Sequence, residues 1–180
     1  GVDGLVVEGG EGGGFKNPRP VSTMVLLPLI RERTDVPIIA AGGICDGPTM
    51  AAAFALGAEG VQLGTAMLSC ADSPVHQNWK QAIYDGKETD TVFLNQQGRP
   101  ALRAMRTGRT GELELLGQFQ PFEHMANILD LYFGGDLEAA IPRTGQVMGR
   151  IHESRSAAEV VTSTMEGFHA CLAGLSASYS

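Results

Sequence analysis

Short apolar runs bounded by glycine alternate with longer stretches of helical period through the first third of the chain. Leu5 to Glu8 is mostly β-branched and lies between glycines, which predicts a buried central strand. Gly9 to Pro20 reads as loop. Val21 to Arg33 turns helical, with Ser22 or Thr23 as N-cap. Pro28 inside it requires either a kink or a later start. Val36 to Ala41 predicts a second buried strand, ended by Gly42-Gly43. Asp46 to Leu56 predicts an alanine-rich helix capped by Asp46. Gly57 to Gly60 is a turn, and Val61 to Leu63 a third strand, ended by Gly64-Thr65.

The turn Gly1-Val2-Asp3-Gly4 is echoed by Gly57-Ala58-Glu59-Gly60, each leading into a buried strand. Strands alternating with helices in this rhythm predict βα units and a parallel sheet. After Thr65 the rhythm breaks. A short helix is expected around His76 to Tyr84, then the apolar run Thr91 to Leu94, then a basic patch of Arg99, Arg103, Arg106 and Arg109. Pro121 to Phe133 and Ser156 to Leu175 read as amphipathic helices. The expected organisation is three parts: βα units over 1–74, a mostly helical substrate or lid subdomain over 75–146, and a returning terminal helix over 147–180.

Composition narrows the class. The 180 residues are 43% hydrophobic and 18% charged, an ordinary globular balance. The net charge of −7, without a basic cluster on the βα units, argues against nucleic acid and anionic membrane as partners. The longest apolar run, Met24 to Ile30, is far short of the ~20 residues of a membrane span. Cys45, Cys70 and Cys171 are scattered, odd in number and lack metal spacing, which predicts reduced thiols in a cytoplasmic setting. The chain opens without methionine, almost directly on a strand. The expectation is therefore a piece of a longer protein. Glycine is in excess, 24 in all, with seven in the first 14 residues.

Those glycines fall where the strands end. Ala41-Gly42-Gly43-Ile44 and Gln62-Leu63-Gly64-Thr65 are expected side by side on one sheet edge. Glycine admits a ligand close to the backbone, and successive free N–H groups form an anion nest. The helix starting near Asp46 or Pro48 would add its positive end. Thr65 would add a hydroxyl. Together these predict a phosphate cradle at the last strands of a (β/α)8 barrel. Phosphosugar, nucleotide and flavin mononucleotide all satisfy it.

The strings VVEGGEGGGF (6–15), VSTMVLLPLI (21–30), VPIIAAGGICDG (36–47), AAAFALGAEGVQLGTAML (51–68) and SPVHQNWK (73–80) resemble the nitronate monooxygenase (2-nitropropane dioxygenase-like) family. These are FMN-dependent TIM-barrel oxidoreductases that include flavin-dependent enoyl-ACP reductases and NADH:quinone reductases. A weaker resemblance continues through GRPALRAMR (98–106) and GDLEAAIPRTGQVMGRI (135–151). The resemblance implies an α/β chain, the C-terminal part of a TIM barrel with parallel strands. It implies FMN as cofactor, with Gly42, Gly43, Gln62, Gly64 and Thr65 at its phosphate. Glu8, usually glutamine in the family, would lie near the isoalloxazine ring, and Gly13 would contact the flavin. It further implies a small-molecule substrate, a missing N-terminal half-barrel needed to complete the pocket, and a homodimer as a compatible assembly.

One departure changes the chemistry that can be expected. The family's loop reads Glu-Ala-Gly-Gly-His; here it reads Glu11-Gly12-Gly13-Gly14-Phe15. Phenylalanine stands where nitronate monooxygenases hold their base, and it cannot take a proton. Phe15 and Lys16 become the expected substrate-pocket residues, Phe15 as an apolar wall and Lys16 toward an anion. His76, His124, His152 and His169 are the candidate replacements, and each also reads as an ordinary surface or helix histidine. Arg99, Arg103 and Arg106 read as a phosphate patch or a solvated face, and Cys45 as a reactive thiol or a small packing residue. No metal is expected. The leading expectation is a reductase that takes electrons from NAD(P)H and passes them to a quinone, enoyl or similar flat acceptor. The alternatives are a true nitronate monooxygenase that tolerates Phe15, an isomerase or dehydrogenase acting on a phosphate-bearing ligand, and a flavin- or phosphate-binding module without turnover.

Overall fold

The computed structural model describes residues 1–179. Strands β1 (Leu5–Glu8), β3 (Ile38–Ala41) and β4 (Gly60–Gln62) form a parallel sheet in the order β1-β3-β4. Val7 lies opposite Ala40, and Ala40 opposite Val61. The connections run through helices α1 (Thr23–Arg31) and α2 (Gly47–Ala55), as the alternating pattern predicts. Val7, Ile38 and Ala40 face these helices and pack with Leu27, Met50, Ala51, Ala53 and Phe168. The next residues along the strands face the other way, and there Val6 and Ile39 are 55% and 42% exposed. Parallel sheets normally have both faces covered. Here the Val6/Ile39 face is left open.

Helix α1 keeps Pro28 within it, forgoing the bond that an N–H at 28 would make. Its N-terminus takes no cap from Ser22; Glu11, distant in sequence, caps it instead. Helix α2 begins with a capping box in which Asp46 accepts from the Thr49 N–H at 3.0 Å. After β4 comes one short turn of helix, α3 (Thr65–Leu68), and then α4 (Gln77–Asp85).

The segment expected to be mostly helical carries a second sheet. Strands β2 (Gly14–Lys16), β5 (Thr91–Leu94) and β6 (Ala101–Met105) pair antiparallel in the order β2-β6-β5. Two readings are thereby corrected. Residues 14–16 leave the expected loop to pair with β6, and residues 101–105, within the segment expected to be mostly helical, are strand. The cause is non-local: Val92, Leu94, Leu102 and Ala104 bury one face against Leu113 of helix α5 (Gly108–Leu116) and Ile141. The helix expected over 121–133 is also absent. Residues Pro121–Met125 and Asp130–Gly134 form separate short turns. Leu131 is buried while Phe122, Leu129 and Phe133 are exposed, so no continuous apolar stripe rewards a single helix.

The last helix, α6 (Ala157–Tyr179), lies against α2, with the Phe168 and Phe54 rings tilted against each other and their centroids 5.0 Å apart. The two helices approach where Gly47 meets Gly167, and a Cβ at 47 would run into the Gly167 backbone. No described helix is long and apolar enough to cross a membrane.

Two expected outcomes follow from this packing. Gly47→Ala forces α2 and α6 apart and destabilises by about 1–3 kcal/mol, readable as a lowered urea midpoint. The isolated 180-residue chain self-associates through the free edges of β1 and β4 and the open Val6/Ile39 face. Sedimentation velocity showing a monomer with a cooperative melt would contradict the second expectation.

Candidate functional site

The C-terminal ends of the three parallel strands open into one cleft. Glu8 leaves β1, Ala41 to Ile44 leave β3, and Gln62, Gly64 and Thr65 leave β4. Gly12 and Gly13 form one wall, and Arg143, Gly145 and Val147 the other. All seven residues expected at a cofactor, Glu8, Gly13, Gly42, Gly43, Gln62, Gly64 and Thr65, line this cleft.

Backbone packs directly on backbone here. A Cβ at Gly13 would come within 2.7–2.9 Å of Thr144 and Gly145, so the two walls touch only because that side chain is absent. Gly42 and Gly43 have φ of +82° and +77°, which turn the chain after β3. The wall holding Thr144 is pinned twice. Trp79 Nε1 donates to Thr144 Oγ1 at 3.1 Å, and the Gly145 N–H donates to Thr65 Oγ1 at 2.9 Å. The Thr65 hydroxyl keeps its own proton to donate. The N–H groups of Gly43 and Gly64 have no partner among the described residues. Those of Thr65 and Ala66 open a helix and lack intrahelical acceptors. These unpaired donors lie at the β3 and β4 ends, a backbone arrangement that suits an anion. Helix α2, whose positive end was expected here, starts beyond the lining residues; α3 starts in the cleft instead.

The acids of the cleft are already occupied. Glu11 receives the Thr23 N–H at 3.0 Å on both carboxylate oxygens, and the Thr23 hydroxyl lies within hydrogen-bond distance of Glu11 and of the Gly42 carbonyl. A carboxylate at a helix N-terminus is favoured by the helix dipole. Glu8 pairs with Lys16 Nζ at 2.8 Å. The Lys16 side chain is only 5% exposed and also donates to the Gly13 carbonyl. Lys16 is therefore neither a solvated loop lysine nor free for a substrate anion.

Phe15 and Lys16 lie outside the cleft lining. Phe15 reaches it through Arg143, whose guanidinium carbon stands 5.6 Å from the ring centroid, and it also meets Phe122, with ring centroids 5.7 Å apart. None of the four histidines lines the cleft. His76 accepts the Asn78 N–H at the start of α4, His124 touches Arg109, His169 packs on Phe168, and His152 is exposed. The basic patch is dispersed. Arg103 turns inward to the Gly10 carbonyl at 2.7 Å, and burial lowers its pKa while Glu11 opposes that shift. Arg106 pairs with Glu114, and Arg109 holds the Glu138 and Ala139 carbonyls. Arg143 and Gly145 escape the reading from local pattern, although they lie inside the string IPRTGQVMG (141–149). No group of metal-ligating side chains occurs among the described residues.

Parallel strands that end in a glycine-lined cleft with unpaired N–H donors place the chain among α/β proteins that hold part of a TIM-type barrel. Residues 1–167 match the family model described as nitronate monooxygenase, and the chain belongs to that family. A probable nitronate monooxygenase of Staphylococcus saprophyticus is 40% identical over 111 residues, which are 56% of this chain and 31% of that protein. One from Staphylococcus aureus is 46% identical over 101 residues, 52% of this chain and 28% of the relative. FabK from Thermotoga maritima superposes with a TM-score of 0.91 at 31% identity, covering 98% of this chain and 58% of FabK. A nitroalkane oxidase from Streptomyces ansochromogenes shares the fold, with a TM-score of 0.83 at 24% identity over 96% of this chain and 53% of its own. The aligned stretches thus span about a third of the curated relatives, and the chain covers somewhat over half of the solved structures.

Cys45 packs as a small buried residue behind the cleft. Burial first, and Asp46 second, push its thiol pKa up. Burial does the same to Cys70, whereas Cys171 is half-buried. Iodoacetamide at neutral pH is expected to modify Cys171 first, with Cys45 spared until the pH rises above the usual thiol range or the protein unfolds. Peptide mapping checks the order.

Proposed function

We propose that the protein is an FMN-dependent oxidoreductase of the nitronate monooxygenase family, acting as an NAD(P)H-using reductase on a quinone, enoyl or similar flat acceptor. The observation that carries this reading is the convergence of the seven candidate residues on one cleft whose donors are unpaired. The cleft has room at this edge: a Cβ at Gly64, which lines it, would meet nothing within 4 Å. Gly43, Gly64 and Thr65 would hold the phosphate, and Glu8 and Gly13 would lie along the ring. Bound flavin supplies the hydride chemistry, which needs no protein base. That agrees with Phe15 at the family's histidine position and with the absence of histidine from the cleft lining.

The chain's own residues then bind and orient. Lys16 neutralises Glu8 so that an acidic side chain can stand beside the ring. Glu11 holds α1 against the loop that carries Gly12 and Gly13. In this reading the chain is the C-terminal part of the barrel. Preceding βα units cover the Val6/Ile39 face and complete the pocket, and the segment over 75–146 serves the substrate side. The enzyme works in the cytoplasm.

A second reading, true nitronate oxidation, is favoured by the family match itself and by the names of the curated relatives. Anaerobic stopped-flow mixing with propionate 3-nitronate separates the two: rapid loss of oxidised-flavin absorbance supports nitronate oxidation, and inertness supports the reductase. Full-length protein is expected to take up FMN and to oxidise NADH or NADPH with a quinone or enoyl thioester present. Failure to bind added FMN, judged from the visible spectrum, overturns the proposal. Gly64→Val is expected to weaken FMN by about tenfold or more, roughly 1.4 kcal/mol, by filling the nest. Because the site has open space, its thermal midpoint stays close to that of the parent.

A further inference from the structure

The cleft wall from Pro142 to Gly145 has no helix or strand of its own, and hydrogen bonds to four separate elements set its position. The Met105 N–H of β6 donates to the Pro142 carbonyl at 2.8 Å, and the Gln146 N–H donates to the Glu11 carbonyl at 2.9 Å. Between them, Trp79 of α4 donates from Nε1 to Thr144 Oγ1, and the Gly145 N–H donates to Thr65 Oγ1 at the start of α3. Of the four, only the Trp79–Thr144 bond joins two side chains. Both residues are 0% exposed, and Tyr132 meets the indole edge-on with centroids 4.9 Å apart. These bonds have a fixed direction. Thr144 accepts from Trp79 and sends its own proton to the Pro142 carbonyl at 3.3 Å. Thr65 accepts from Gly145, and its proton has no acceptor among the described residues. Thr65 lines the cleft, so that proton is left for a ligand.

We infer that Trp79 and Thr144, neither of which lines the cleft, are positioning residues for the cofactor phosphate. The inference rests on the flavin reading for the identity of the ligand, and deepens it by assigning the support of the phosphate to residues behind the wall. The Gly145 N–H lies in the planar peptide group that begins at the Thr144 Cα, so anchoring Thr144 sets the direction of that N–H. Backbone contact fixes how near Gly145 comes to the glycine loop: a Cβ on it would lie 2.9 Å from the Glu11 carbonyl oxygen and 3.0 Å from the Gly13 nitrogen. The Trp79–Thr144 bond fixes how the peptide is turned. With the Gly145 N–H held on Thr65, the Thr65 hydroxyl acts as a donor, and a phosphate oxygen is a strong acceptor for it.

The test compares equilibrium binding of FMN and of riboflavin, which lacks the phosphate, to flavin-free full-length protein, read by flavin fluorescence. The parent protein is expected to prefer FMN by about tenfold or more. Thr144→Val keeps the shape and removes the hydroxyl. It is expected to lower the FMN preference by about fivefold or more while riboflavin binding holds, and Thr144→Ser to keep the preference. Trp79→Phe lowers it in the same way. Thr65→Val removes the donor itself, and adding Thr144→Val to it causes no further loss, because both act through one hydroxyl. Thr144→Val also leaves the Trp79 N–H buried without a partner, which lowers the thermal midpoint. The Trp79→Phe/Thr144→Val double variant regains part of that midpoint but not the FMN preference, which separates position from stability. Equal loss of FMN and riboflavin, an undiminished preference in a folded Thr144→Val protein, or additive losses in the Thr65→Val/Thr144→Val protein overturns the inference. So does a parent protein that binds the two flavins alike. A parent that binds neither flavin overturns the flavin reading instead. Binding of inorganic phosphate to parent and Thr144→Val protein, followed by phosphorus NMR, then decides the positioning role, and phosphate binding that is absent or unchanged by the substitution overturns it.

Discussion

Close backbone contact at the end of the parallel sheet is the constraint on which the site depends. The Gly9 N–H bonds to the Ala41 carbonyl, Gly42 lies under Gly9 and Gly12, and Gly13 abuts Thr144 and Gly145. Three stretches far apart in sequence thereby meet with little side-chain volume between them. Bulk at Gly13 would separate the walls, and the Thr65–Gly145 and Trp79–Thr144 hydrogen bonds would be lost with the contact. At this edge Gly43 and Gly64 line the cleft with N–H groups that no described residue accepts.

The electrostatics are arranged around the same edge. Two carboxylates enter the cleft, and each is compensated on the protein's own terms. Glu11 serves as the cap that Ser22 does not provide, tying the glycine loop to α1. Glu8 is balanced by a lysine whose side chain is almost fully buried, which fixes the direction of β2 as well as the charge. Arg103 secures the same loop from outside through the Gly10 carbonyl. What remains uncompensated is a neutral nest of N–H groups at one place and the Arg143 guanidinium at another. A cleft with free donors and paired acids favours an anion, which suits the phosphate of a flavin.

Phe15 stands just outside the cleft lining, its ring centroid 5.6 Å from the guanidinium carbon of Arg143. Strand β2 makes this possible. Pairing of Phe15 with Leu102 holds the residue on a sheet, and alternation along the strand sends Lys16 back toward Glu8.

Local pattern determined the parallel half of the fold. The β-branched runs at 5–8 and 38–41, the Asp46 cap and the glycines after each strand are short-range signals, and they place the cleft residues without knowledge of the rest. Resemblance added the family and the anomaly at Phe15. The antiparallel sheet was beyond reach because β2 has three residues and pairs with a strand almost ninety positions later; its energy lies in the partner and in Leu113 and Ile141. Tertiary structure likewise decided that the Lys16 side chain is buried, that Glu11 caps a helix, that Arg103, Arg106 and Arg109 turn to carbonyls and a carboxylate, and that Arg143 enters the cleft. A charged side chain's role is set by what lies within a few ångströms of it, and in this chain those neighbours come from distant sequence.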